Sequence, residues 1–262
     1  MARYYDQNAG TKATAAATTV VFTATDIPGA GVVAYHFLFA GAGMTFGDLT
    51  RIRVKGAGQT LFDVDPTALQ AWINRYYGSN LAPVAGDVSF TIPFWYPTQA
   101  QGDPQAGDFS QMPSGLAPTI ELVIGAGGAV GTVQAAWTIS DMKPTATPAL
   151  LGSAMNIGVG PAVNQHYPLF EQGGVKGVCL NTTGLTRARL VMGGLQRMNI
   201  EGTTLFSEIQ RFANTNLPAD PVFVDLGGPQ SAPAGNSYWE LDVTGAWAGA
   251  TNESTLYAIR GQ

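Results

Sequence analysis

The chain contains a long internal repeat. The hexapeptide "LTRIRV", which begins at Leu49, recurs as "LTRARL" from Leu185, 136 positions later (185 − 49). The same offset holds without a gap as far as Leu81 and Leu217, and about a third of the positions in this stretch are identical. A repeat of this length exceeds a solenoid unit of roughly 20 to 50 residues and fits a whole domain. We therefore interpret the chain as a tandem duplication.

Most of each copy has the pattern of β-strands. Runs rich in β-branched and aromatic residues are bounded by Gly or Pro at spacings of about 8 to 12 residues, which is typical of antiparallel sandwiches. One segment differs: "VDPTALQAWINRYYG" carries Asp65 as a helix N-cap, Pro66 at the first helical position and Gly78 as a stop. Each half is therefore expected to be all-β with one short helix.

The helix has the same apolar positions in both copies. Leu69 and Ile73 recur at helical spacing on one face, and Leu205 and Ile209 occupy the matching positions of the second copy. We expect these four side chains to be equally buried.

The duplication and local composition predict four segments. Residues 1–18, rich in Ala and Thr without periodicity, are expected to be a flexible arm. Residues 19–142 and 153–262 are expected to be the two domains. Residues 143–152, "KPTATPALLG", are expected to link them because two prolines fall within six residues.

Composition excludes several classes of protein. Charged residues make up 12% of the chain, against a usual value of about 25%, so much of its exterior is expected to meet other protein. A net charge of −5 disfavours direct nucleic-acid binding, which needs clustered Lys and Arg. The first residues lack an apolar signal segment, and no run reaches 18 apolar residues, so we expect neither secretion by that route nor a transmembrane helix.

Few residues suggest catalysis. His36 lies in a predicted strand and His166 in a predicted loop, so no pair has metal-ligand spacing, and Cys179 between two apolar residues is typical of a small buried side chain. "VIGAGGAVG" could begin a dinucleotide site, but Val130 replaces the third glycine and a strand pattern follows, which favours a hairpin turn. We predict no catalytic, cofactor-binding or metal-binding residue.

Two pairs of acidic residues leave a choice between cation binding and turn formation. Asp63 with Asp65, and Asp103 with Asp108, could each share a cation. Helix capping and solvated turns account for them more simply.

The repeated arginines form the candidate interface. They are Arg51, Arg53, Arg75, Arg187, Arg189 and Arg211. The two pairs within strands lie two residues apart on the outward face, where they are either a solvated basic stripe or bridges to carboxylates or carbonyls at a subunit boundary.

A resemblance to a known protein family lies in the two repeat segments, "LTRIRVKGAGQTLFDVDPTALQAWINRY" and "LTRARLVMGGLQRMNIEGTTLFSEIQRF". Together with the strand pattern they resemble the double jelly-roll major capsid proteins of membrane-containing icosahedral phages, the corticovirus type in particular, within the wider tectivirus and adenovirus lineage. The resemblance implies two tandem eight-stranded jelly-roll β-barrels, each with one short helix.

The resemblance also implies a function. Such a chain is made in the host cytoplasm and forms a homotrimer of six upright barrels, a pseudo-hexameric tile in a virion capsid over an internal membrane. Its partners would be neighbouring capsomers, penton proteins and membrane-associated virion proteins. Some relatives bind calcium between subunits, but the resemblance assigns no ligands here.

Two other functions compete. Jelly rolls also serve as carbohydrate- or surface-binding modules, and Trp95, Tyr96 and Trp239 could stack on sugars. An enzyme is the third class, which the absence of a convergent acid, base or nucleophile in the sequence disfavours.

Overall fold

A computed structural model describes most of the chain. The described residues are 4–23, 31–41, 43–56, 59–78, 81–93, 112–113, 119–140, 147–154, 162–168, 174–180, 185–201, 222–231, 238–243 and 253–260.

Within these residues the chain forms seventeen β-strands, one α-helix and one short 3-10 helix. The strands are β1 Tyr4–Thr14, β2 Thr19–Thr23, β3 Gly31–Gly41, β4 Leu49–Gly56, β5 Gln59–Val64, β6 Ser89–Pro93, β7 Met112–Pro113, β8 Thr119–Ile124, β9 Gly131–Ser140, β10 Thr147–Ala154, β11 Ala162–Pro168, β12 Gly174–Leu180, β13 Leu185–Met192, β14 Leu195–Glu201, β15 Val222–Ser231, β16 Tyr238–Val243 and β17 Glu253–Arg260. The α-helix α1 is Pro66–Tyr77 and the 3-10 helix is Phe46–Asp48.

The first half has jelly-roll topology. One sheet has the order β1-β9-β3-β6, with the two-residue β7 also paired to β3, and the remaining strands of this half are neighbours in the order β2-β8-β4-β5. Without β7 these are the first, eighth, third and sixth strands along the chain, and the second, seventh, fourth and fifth. The strand pairs described in this half are antiparallel. Strands so interleaved make the two Greek keys of a jelly roll.

The second half repeats this topology. Its strands are neighbours in the orders β10-β17-β12-β15 and β11-β16-β13-β14. Counted from β10, these are again the first, eighth, third and sixth strands, and the second, seventh, fourth and fifth. The prediction of two tandem eight-stranded jelly rolls is therefore confirmed.

The structure supports the repeat at its fixed offset. Strands β4 and β13 begin at Leu49 and Leu185, the two ends of the 136-residue offset. The chain divides into two compact units, Met1–Leu150 with Arg260–Gln262, and Leu151–Ile259.

The structure differs from the prediction in two segments. The prediction of a flexible arm over residues 1–18 is wrong for Tyr4–Thr14, because β1 pairs with β9 along its whole length. The predicted linker, residues 143–152, overlaps β10, which begins at Thr147. Its first proline, Pro144, precedes the strand, and its second, Pro148, lies at the strand's second residue, where a missing N–H is tolerated.

Helix α1 begins and ends as its sequence predicts. The Asp65 side chain accepts a hydrogen bond from the backbone N–H of Thr67 at 2.8 Å, and Pro66 occupies the first turn. Gly78 ends the helix with φ of +94°, a conformation that strains other residues. The helix predicted for the second copy lies within residues 202–221, which are outside the described residues.

The core of the first unit is rich in aromatic residues. The Trp72 ring of α1 meets the Phe62 ring of β5 edge-on at 5.7 Å between centroids, and both side chains are fully buried. Tyr35 of β3 likewise meets Trp137 of β9 at 5.8 Å. Burial raises the pKa of the Tyr35 phenol above its ordinary value of 10, so the phenol stays neutral in the folded protein.

The predicted burial of the apolar helix face is confirmed for the first copy. Leu69 and Ile73 are both fully buried. Their counterparts Leu205 and Ile209 lie outside the described residues.

Candidate functional site

The arginines of β4 take part in a group of charges on the outward face of their sheet. We call it the first charge cluster, and its members are Arg51, Arg53, Lys55, Asp63 and Glu121. Arg51 Nε lies 2.5 Å and Arg53 Nε 3.1 Å from Asp63 Oδ1, on the neighbouring strand β5. Lys55 Nζ lies 2.7 Å from Glu121 Oε1, on the other neighbour β8. The cluster thus ties three adjacent strands together.

The arginines of β13 form a second charge cluster, whose members are Arg187, Arg189, Glu240 and Asp242. Arg187 Nη2 donates to Glu240 Oε1 at 2.8 Å, and Arg187 Nε lies 2.8 Å from Asp242 Oδ2. Arg189 Nη2 donates to the other carboxylate oxygen of Glu240. The Glu240 side chain is 3% exposed, so two guanidinium groups compensate a buried carboxylate.

One acidic position is common to both clusters. Arg53 lies opposite Glu121 in the antiparallel register of β4 and β8, and Arg189 lies opposite Glu240 in that of β13 and β16. Both acids stand on the seventh strand of their jelly roll. The duplication has therefore kept this pair at equivalent places.

The second acid of each charge cluster lies on a different strand in the two units. In the first unit it is Asp63 on β5, and the fixed offset places Asn199 at the matching position of β14. In the second unit it is Asp242, opposite Arg187 on β16, and Val123 stands opposite Arg51 in the first. Each unit thus keeps two acids beside its paired arginines, but draws one of them from a different strand.

Exchange of the acid between strands should therefore be tolerated. Asp63→Asn should cost about 0.5 to 1 kcal/mol, since these ion pairs are partly exposed. Adding Val123→Asp should recover most of this loss, because that side chain would face Arg51 as Asp242 faces Arg187. Urea unfolding of the wild type, the single variant and the double variant measures both changes.

The matched control is Asp63→Asn with Val123→Asn, which introduces a polar side chain of the same shape without charge. If this control recovered as much stability as the aspartate, an ion pair would not be the reason.

The structure gives partners within the same chain to four of the six repeated arginines. Arg51, Arg53, Arg187 and Arg189 do bridge to carboxylates, but these belong to the same chain, on the strands beside them. The side chain of Arg75, in α1, and the whole of Arg211 lie outside the described residues. The side chains of Arg53 and Arg189 remain 39% and 31% exposed, which leaves part of each side chain open to a neighbour.

The described side chains of His36 and Cys179 have structural surroundings. His36 Nδ1 lies 2.9 Å from Thr91 Oγ1, and His36 Nε2 lies 2.7 Å from Thr138 Oγ1, so two hydroxyls orient the ring. Cys179 is fully buried in β12, as predicted. The prediction of a loop at His166 is wrong, since this residue lies in β11; its side chain is outside the described part.

An open depression of about 670 Å³ lies beside His36. It is lined in part by Leu38, Leu81 and Thr91, while its aromatic residues Phe37 and Phe90 are buried. Stacking on a sugar needs an exposed ring face, and the exposed large apolar side chains of the described residues are all Leu or Val. Trp95 and Tyr96, and the side chain of Trp239, lie outside the described part.

The glycine-rich segment is a connection between sheets. It joins β8 to β9, and these strands belong to different sheets, so the predicted hairpin turn is wrong. The Gly128 N–H donates to the Gly125 carbonyl at 3.1 Å, which closes the turn, and a strand follows it. A dinucleotide site would require a helix at that point.

The acidic pairs have structural partners where they are described. Asp65 caps α1 and Asp63 belongs to the first charge cluster. Asp103 and Asp108 lie outside the described residues. In the described part of the chain, no group of three or more His, Cys, Asp or Glu could hold a metal ion. None of the described helices has the length and apolar character needed to cross a bilayer.

Comparison with known proteins by sequence gives no match, whereas comparison by structure does. Neither a model of a known protein family nor any curated protein sequence matches the chain. Solved structures do. The major capsid protein P2 from Bacteriophage PM2 has a TM-score of 0.71 at 11% identity, with 100% of this chain and 98% of that chain covered.

Two further structures match over almost the whole chain. The STIV MCP has a TM-score of 0.66 at 12% identity, covering 98% of this chain and 96% of its own. The PBCV-1 virus capsid has a TM-score of 0.56 at 11% identity, covering 99% and 94%. At these identities the likeness establishes the fold, which is the double jelly roll.

Proposed function

We propose that the chain is a major capsid protein of an icosahedral virus. The observation that carries the proposal is that the double jelly-roll match runs almost end to end in both chains of each pair, and that the matched structures are described as capsid or major capsid proteins. A fold by itself hosts many functions. Here the matched unit is an entire chain of two barrels, and the proposal takes its function from that unit.

The proposed assembly is a homotrimer. Three chains contribute six similar jelly rolls, which gives a pseudo-hexameric capsomer whose outline tiles a surface without gaps. The low charge content favours extensive contact with other protein, since a chain with 12% charged residues has few groups to keep a bare exterior soluble. The exposed parts of Arg53 and Arg189 would face neighbouring subunits.

The proposed location is the virion capsid, over an internal membrane. Neighbouring capsomers, penton proteins and membrane-associated virion proteins are the partners that this role requires. The proposal includes no catalytic role, which agrees with the hydroxyl contacts of His36 and the buried thiol of Cys179.

The acids of the two charge clusters are poor ligands for calcium between subunits. The carboxylates of the two charge clusters already face Arg or Lys, which supply the positive charge that a cation would bring. We derive no role for a metal ion from this part of the chain.

Native sedimentation of the expressed chain tests the proposal. We expect a stable species of three times 27.4 kDa, about 82 kDa, with a hexagonal outline in negative-stain electron micrographs. An obligate interface of this kind should bury on the order of 2,000 Å² or more. A stable monomer at micromolar concentration or a closed twofold dimer would contradict the proposal, and binding to a polysaccharide by that monomer would favour the surface-binding alternative.

A further inference from the structure

Strand β14 is an exposed edge of its sheet. It stands last in the order β11-β16-β13-β14 and pairs with β13. Its exposed side chains are those of Leu195, Gln196, Arg197, Asn199 and Glu201. The Leu195 side chain is 61% exposed, which is unusual for leucine in a strand. Both faces of this strand are therefore open over much of its length.

The same strand of the first copy is covered. Phe62 of β5 is fully buried, whereas Met198 at the matching position of β14 is half-buried. Asp63 is likewise half-buried and its counterpart Asn199 is exposed. The two strands hold the same place in the same topology, so within the described residues β14 is the more open of the two.

Strand β1 is a second exposed edge, and it belongs to the other unit. It stands first in the order β1-β9-β3-β6 and is 11 residues long. Asn8, Gly10, Thr11, Lys12 and Ala13 are all exposed. Long open edges invite pairing with another chain, and proteins that must stay single block them with proline or surplus charge.

Neither edge carries such a block. Neither β1 nor β14 contains a proline. Strand β14 has one cation and one anion, Arg197 and Glu201, and the sequence of β1 likewise has one of each, Asp6 and Lys12. Both strands are therefore neutral overall, and neither presents a surplus of one charge that would repel the other.

We propose that β14 of one chain pairs with β1 of the next copy by strand addition, so that the edge of the second jelly roll is covered by the first jelly roll of its neighbour. The occupant is a second copy because each chain carries both open edges, one on each unit. A contact between two different edges is heterologous and closes into a ring when a threefold axis relates the copies, as in the proposed trimer, whereas β14 against β14 would be a twofold contact. The pairing rests on the proposed trimer and names the elements that form its seam.

Cross-linking between two tagged versions of the full chain tests the pairing. One version carries Asn199→Cys in β14, and the other carries Thr11→Cys in β1; both positions are exposed. The native Cys179 is fully buried, so it should not compete for a short bismaleimide. The two versions are co-expressed, so that they assemble together, and are then treated with the reagent.

We expect a covalent product that contains both tags. Contact raises the effective thiol concentration from micromolar to the order of mM, so the yield should exceed that of random collision by about a hundredfold or more. The matched control replaces Thr11→Cys with Val130→Cys, a thiol at a side chain that is 71% exposed in the turn after β8. This control should give only the random yield.

The outcomes separate the pairing from the proposed function. A trimer in sedimentation that gives no mixed product, or that links Asn199→Cys chains to each other, would overturn the pairing and leave the capsomer intact. A mixture that sediments only as monomers would contradict the proposed function, on which the pairing rests.

Discussion

Replacing Trp72 with alanine is expected to destabilise the protein by about 3 to 5 kcal/mol. The side chain is fully buried between α1 and the sheet, where its ring meets those of Phe62 and Tyr77 at 5.7 and 5.2 Å between centroids. Alanine removes this contact and leaves a cavity that a packed sandwich cannot close. Denaturant unfolding at a fixed chain concentration measures the loss.

The matched control for this change is Leu81→Ala, three residues after the helix stop at Gly78. Leu81 is 47% exposed, so its truncation should change the free energy of unfolding by about 0.5 kcal/mol or less. If both variants lost the same small amount, α1 would not be part of the core.

The second large effect is expected at Glu240. Glu240→Gln should cost about 2 to 3 kcal/mol, because the neutral amide leaves the guanidinium groups of Arg187 and Arg189 without the carboxylate that they share. The side chain is 3% exposed, so water cannot replace the lost charge. The expected loss is smaller than for a fully buried pair, since both arginines are partly exposed.

The internal copy supplies the control for Glu240. Glu121→Gln makes the same change at the equivalent position of the first charge cluster, where the acid is 17% exposed and its partners Arg53 and Lys55 are 39% and 43% exposed. Solvent screens such pairs, and the loss should be about 0.5 kcal/mol. Equal losses for the two variants would mean that burial does not set the strength of these pairs.

The ends of α1 were readable in the sequence because they depend on local chemistry. Asp65, Pro66 and Gly78 define the ends of α1 through backbone requirements that neighbouring residues meet on their own. The strands β4 and β9 were equally clear, since one face of each is buried and the other is not, which leaves an alternating pattern. Signals of this kind do not depend on distant contacts.

Strand β1 could not be recognised in the same way. Along Asn8–Ala13 nearly every described side chain is exposed, so no face is selected for apolar residues and no alternation arises. Its strand conformation comes from backbone hydrogen bonds to β9, a partner more than 100 residues away. A segment held mainly by its backbone resembles a flexible arm in sequence.

For the charge clusters too, the sequence determined one part and the tertiary structure the other. The sequence by itself determined that Arg51 and Arg187, with Arg53 and Arg189, are equivalent and face outward, because a constant offset and a period of two residues require no tertiary information. Only the tertiary structure decided which acids they meet. Asp63 and Asp242 fill one role from different strands, and the sheet order that brings both beside the arginines is set by long-range pairing of the strands. An ion pair depends on distance in space, so the offset that revealed the arginines could not reveal their partners.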